Sequence, residues 1–133
     1  MSEILDAIGS VLQTASVGTL GTNLFLSRMP ETPDAAVSAY ESGAGYAIYT
    51  QGSTGSAPLE VTNIQIVARA AREDYVSARS KISQVIAALE SVSETSTSGI
   101  RLLRIEQSGR PIPLGYDDND RPEIAMNFTV THA

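Results

Sequence analysis

Four short stretches of this 133-residue chain carry residue types that could do chemistry, and each can be weighed on its spacing. The only histidine is His132, the penultimate residue. Chain ends are usually poorly ordered, so a general base there would be badly positioned, and a strand-end side chain is the plainer reading. Thr19-Leu20-Gly21-Thr22-Asn23 follows Gly18 and is rich in glycine, but no lysine follows where a phosphate-binding loop requires one. It reads as a helix stop.

Asp117-Asp118-Asn119-Asp120 has the look of a cation loop. The order of a calcium-binding hand fails, because Arg121 occupies the third ligand place and no bidentate glutamate follows at the required distance. Asp and Asn favour turns, so the segment reads as a solvated hairpin tip. Asn127-Phe128-Thr129 is formally a glycosylation sequon, expected to be silent in a strand of a chain without an export signal. No paired carboxylates, no Ser/His/Asp set and no Cys/His cluster stand out. The sequence therefore predicts a protein that is not an enzyme and needs no metal or cofactor.

Composition bounds the rest. The length suits one domain over 1–133, large enough for a core without disulfides. Cysteine is absent and aromatics make up 5%, so Ile, Leu, Val and Ala must build that core. Neither a signal peptide nor an apolar run of about 20 residues is present, which predicts a protein made in the cytoplasm. Fifteen acids against nine bases give a net charge of −6, the wrong balance for holding phosphates. Eight of the nine bases are Arg, suited to paired contacts between proteins. Protein partners are expected rather than nucleic acid.

The elements follow from periodicity. Ile4, Leu5, Ile8, Val11, Leu12 and Ala15 trace one helical face, with Ser2 as its cap and Gly18 and Gly21 as its end. Asn23–Arg28 reads as a short strand, Met29–Asp34 as a turn with two prolines, and Ala35–Tyr40 as a strand. The 43–58 segment holds four of the ten glycines and is expected to be a flexible loop, with a short strand at Tyr46–Tyr49. Asn63–Ala70 is a strand, and Asp74 caps a second helix carrying Tyr75, Ala78, Ile82, Val85, Ile86, Leu89 and Val92. Ser93–Gly99 reads as a polar connection, Ile100–Gln107 as a strand, and Arg121–His132 as the most regular strand of all. The expected class is α+β: a mostly antiparallel sheet of four to five strands with two helices packed on one face.

Taken in order, several segments resemble the minor capsid or tail-terminator family of long-tailed bacteriophages. They are Gly18–Phe25 after the first helix, Arg28–Asp34, and the strand ending Val37-Ser38-Ala39-Tyr40-Glu41. Ile64–Arg69 before the long helix, Pro113-Leu114-Gly115-Tyr116-Asp117 and the final strand with Asn127-Phe128 complete the set. The resemblance spans nearly the whole chain and departs from the family at the glycine-rich 43–58 segment.

It implies a virion protein: a ring of six copies that terminates the tail tube at its head-proximal end, assembled in the host cytoplasm. Its partners would be the tail-tube protein and a neck or head-completion protein, with DNA passing through the lumen unbound. The alternatives are another virion ring, such as a neck completion or tail-tube subunit, and a small cytoplasmic binding domain. Six spheres of the size expected for this chain enclose a hole ~36 Å wide, and five enclose ~25 Å, so six admits a duplex freely. The expected partner-interface residues are Arg28, Met29 and Pro30, Gly52, Ser53, Thr54 and Gly55, and Asp117, Asp118 and Asp120.

Overall fold

The computed structural model describes residues 3–42, 45–48, 59–97 and 99–133. Helix α1 spans Glu3–Thr14 and buries Ile4, Leu5, Ala7, Ile8 and Leu12, the face that the apolar spacing marked. The expected cap Ser2 lies outside the described residues. The helix stops earlier than Gly18. Ser16 takes φ 64°, and the Val17 and Ser16 N–H groups bond back to the carbonyls of Leu12 and Gln13, each at 3.0 Å. That double closure satisfies the last turn without a glycine. Gly21, at φ 84°, instead shapes the turn between Thr19 and Leu24.

Strands β1 (Leu24–Leu26), β2 (Ala36–Glu41), β3 (Tyr46–Ile48) and β4 (Leu59–Arg69) follow. Helix α2 (Tyr75–Glu90) comes next, its start fixed by Asp74, whose carboxylate accepts from the Ser77 N–H at 3.1 Å. Strands β5 (Thr95–Thr97), β6 (Ile100–Gln107), β7 (Ile112–Tyr116) and β8 (Pro122–His132) complete the chain. The eight strands form one sheet along the path β1-β2-β4-β8-β6-β5, with β3 beside β4 and β7 beside β8.

The expectation of four to five strands is corrected on two counts. The polar stretch 93–99 contains β5, which hydrogen-bonds along β6 although its side chains are exposed or half-buried. Backbone pairing does not require an apolar side chain, so composition concealed it. Strand β7 was also missed, because its side chains are all exposed and Pro113 and Gly115 break the pattern. The sheet is mixed, too: β1 and β2 are parallel, while every other pair is antiparallel. The proline segment after β1 is thus a return loop, not a hairpin turn.

Strands β4 and β8 pair from Glu60↔His132 to Arg69↔Glu123 and form the centre. On one face Ile64, Ile66, Ala68, Ile124, Met126, Phe128 and Val130 are buried together with the apolar faces of both helices. His132 is buried and tied down at the end of this strand, its Nε2 2.9 Å from the Thr62 hydroxyl. Ala133 then exchanges backbone bonds with Arg101 at 2.9 and 3.2 Å.

Candidate docking surfaces

The other face of the sheet is partly roofed at one end by the return loop after β1. Arg69, the last residue of β4, is only 5% exposed, and its guanidinium reaches up to four carbonyls of that loop. Nε donates to Asp34 O at 2.9 Å, and Nη2 donates to Pro30 O at 2.8 Å, Pro33 O at 2.6 Å and, at longer range, Glu31 O at 3.4 Å. The Ser38 hydroxyl donates to the Arg28 carbonyl on the same face.

Arg121, also buried, ties the loop to the turn between β7 and β8. It donates to Glu31 O at 2.6 Å, to Glu31 Oε1 at 2.9 Å, to Asp34 Oδ1 at 3.2 Å and to Asp117 Oδ2 at 2.8 Å. Burial strips water from both arginines, so their N–H groups need protein acceptors; the loop supplies carbonyls to Arg69, and a carbonyl and two carboxylates to Arg121.

The turn itself is built around Asp117. Its Oδ1 accepts from the N–H groups of Asn119 and Arg121 at 2.9 and 3.0 Å. Burial works against the charged carboxylate, but those two N–H groups and the Arg121 guanidinium outweigh it and hold Asp117 below its ordinary pKa. Arg121 is likewise held above its ordinary value: its desolvation is outweighed by Asp117, then by Glu31 and Asp34. Asn119 Nδ2 donates to Glu31 Oε1 at 2.6 Å, and Arg72 pairs with Asp120 at 3.3 Å on the surface. A polar hollow of about 300 Å³ lies between Asp34, Arg72, Asp118, Asn119, Asp120 and Arg121.

Two of the three groups of expected interface residues therefore meet. Arg28, Met29 and Pro30 sit at the start of the loop, and Asp117, Asp118 and Asp120 in the turn bound to it. Asp117 faces inward, whereas Asp118 and Asp120 are exposed. Gly52, Ser53, Thr54 and Gly55, like most of the 43–58 segment, lie outside the described residues. Sequence reasoning missed Arg69, Arg121, Glu31 and Asp34. One signal was available: Arg69 follows the apolar run Ile66-Val67-Ala68, where an unpaired charge would be costly.

This corner binds charge to charge. Among the described residues, no group of three His, Asp or Glu side chains could hold a metal ion. It is a surface with a fixed shape. The sequence matches the family model described as bacteriophage tail terminator protein over residues 11–132.

The chain belongs to the bacteriophage tail terminator family.

The match includes the return loop, the Asp117 turn and the whole sheet. The fold is also similar to a chain from the virion of a native gene transfer agent particle, with a TM-score of 0.65 and 18% identity. That likeness covers 95% of this chain and 91% of the other. No curated relative matches the sequence. Membership in the terminator family makes this chain a structural virion protein of a phage.

Proposed function

We propose that copies of this chain form a closed ring, six in number, that ends the growing tail tube and then offers its other side to the neck of the head. The family match over residues 11–132 carries this reading. The arginine-held corner supports it, because a docking surface is most effective when its loops are ordered before the partner arrives. Arg28, Met29, Pro30, Asp118 and Asp120 present one such surface, and Gly52 to Gly55 supply a second contact at the tube or neck. Asp117 acts there by shaping the turn.

The sheet face away from the helices suits a channel wall. Beyond the return loop its central strands carry Asn63, Gln65, Asn127, Thr129 and Thr131, side chains without charge, and β6 sets Arg104 and Glu106, paired at 2.8 Å, beside Thr131 and Thr129. Gln65 donates to Asn127 at 3.2 Å and Thr129 to Asn63 at 3.2 Å, so the amides bond to one another across strands. With a chain net charge of −6 and Arg104 paired with Glu106, DNA passing such a wall finds few cations to hold it.

A reconstruction of assembled tails tests the ring directly. Sixfold density of this chain at the head-proximal end is expected; threefold or fivefold density would end the proposal. Filter binding at low salt is expected to show no tight DNA retention. Deleting Gly52 to Ser56 is expected to leave the thermal unfolding midpoint within a few degrees while giving overlong or unjoined tails. Normal, joined tails from that variant would remove the loop from the docking role.

A further inference from the structure

A cavity of about 110 Å³ lies at the Arg69 end of the sheet. Val17 and Asn23 from the segment before β1, the first residues of β2, Arg69, and Ser77 and Lys81 of α2 share its lining. That lining holds two cations, Lys81 and Arg69, and no carboxylate, in a chain with fifteen acids against nine bases. The polar hollow beside the Asp117 turn is different: two arginines and three aspartates stand together in its wall.

Among the described residues, neither Lys81 nor Arg69 forms an ion pair. The acids nearest to them in sequence are engaged elsewhere, Asp34 with Arg121 and Asp74 with Ser77. Arg69 is only 5% exposed, and its acceptors are all neutral carbonyls. A cation so buried is ordinarily met by an opposite charge, because dipoles offset only part of its lost hydration.

The same cavity wall holds unused donors. Lys81 Nζ donates to Val17 O at 3.0 Å and to Gln84 Oε1 at 3.3 Å, which leaves one N–H of the ammonium without an acceptor. Asn23 Oδ1 accepts from the Thr19 N–H at 2.7 Å, so Nδ2 is the free end of that amide. Arg69 holds the return loop through Nε and Nη2, and Nη1 has no acceptor. Among the described residues no fully buried side-chain donor lacks a partner, so these three are reached by solvent. They are open to a ligand.

We infer that this cavity binds a carboxylate group. Guanidinium, amide and ammonium N–H groups suit two oxygens that share one negative charge. One water takes up about 30 Å³, so the space admits a carboxylate with its nearest waters. A DNA phosphodiester, flanked by sugars on both sides, is too large for it. The inference goes beyond the ring and does not depend on it. The group can come from an acidic side chain of a neighbouring virion protein or from a free monocarboxylate, and the test separates the two.

Acetate is the probe for the purified chain, compared with chloride at equal ionic strength and neutral pH. Acetate is expected to raise the thermal unfolding midpoint in a saturable way, as a ligand of the folded state does. Lys81→Met should weaken apparent acetate affinity by about tenfold or more, the loss expected for a charge-assisted bond. Asn23→Asp keeps the acceptor for Thr19 and sets a carboxylate of the chain's own in the cavity, so it should abolish the acetate effect. It decides the matter even if Lys81→Met does not fold. Acetate no better than chloride, an acetate effect unchanged in Asn23→Asp, or stabilisation by inorganic phosphate alone would overturn the inference.

Lys81 is the only lysine of the chain, which makes it a unique reporter. Carbodiimide treatment of assembled virions joins an amine to a touching carboxylate with loss of water, and mass spectrometry maps the bond. An isopeptide bond from Lys81 to an Asp or Glu of another subunit identifies a partner's side chain as the source. Acetate binding without that bond identifies a free carboxylate. A bond from Lys81 to an acid of its own copy overturns the site, since the chain would then supply its own counter-charge.

Discussion

The middle of the central β4–β8 pair and its Arg69 end are held by opposite means. In the middle and toward the helices, Ile64, Ile66, Met126, Phe128 and Val130 are buried against α1 and α2, and no directed bond fixes them. At the Arg69 end, the backbone of the return loop is held by two buried guanidiniums through named bonds of 2.6 to 3.4 Å. The first arrangement tolerates sliding as long as volume is filled; the second fixes a loop, residues 27–35, none of which is buried. A surface that must be met by another protein is served by the second kind, because its shape is set by geometry rather than by volume.

Substitutions should separate the two. Phe128→Ala empties the centre of the core and is expected to lower global stability by about 3–5 kcal/mol, read by urea unfolding with one cooperative transition. Arg69→Ala leaves the loop carbonyls without a donor, which costs about 2–3 kcal/mol. Its signature is local: hydrogen exchange should rise in 29–36 well before the sheet centre opens. Equal acceleration in both places would mean that the corner and the core are one cooperative unit.

A smaller and more selective effect is expected at Gly45. A Cβ there would come within 2.1 Å of the Val61 carbonyl, so Gly45→Ala must shift the chain where it enters β3. Overpacking of this kind costs about 1–3 kcal/mol, and at a sheet edge the lower figure is expected. Protection of 46–48 should fall while the Arg69 corner keeps its own.

The least effect concerns Asp117. Its carboxyl is held below the ordinary value, so the folded state binds fewer protons than the unfolded chain just below the ordinary carboxylate range. Its contribution is therefore complete above the unfolded pKa and is lost as pH falls through the folded one. Asp117→Asn should lower stability at neutral pH by less than about 1 kcal/mol, and its difference from the unaltered chain should vanish as pH falls through the folded pKa, which flattens that part of the acid limb. An unaltered acid limb would show that the Asn119 and Arg121 bonds do not persist in solution.

Much of this architecture was legible before any coordinates. The helical spacing from Ile4 to Leu12, the Asp74 cap and the alternation from Ile124 to Val130 each point to one structure, because burial on one face imposes its period on the sequence. The resemblance to the terminator family was legible for the same reason: it lay in segments that the fold reuses in order. Strands β5 and β7 were hidden, since exposed strands are selected by backbone pairing and leave no apolar period.

Tertiary structure alone decided the rest. That Arg69 and Arg121 converge on one loop depends on Glu31 and Asp34 lying beside residues 35 to 90 positions away, which no local pattern encodes. That β3 and β7 lie at opposite ends of the β4–β8 pair depends on the strand order, not on the composition of any strand. The sequence determined which residues are inside, because water excludes apolar groups wherever the chain goes. Which polar groups meet was left to the topology, because a hydrogen bond forms only where the folded backbone brings donor and acceptor within about 3 Å.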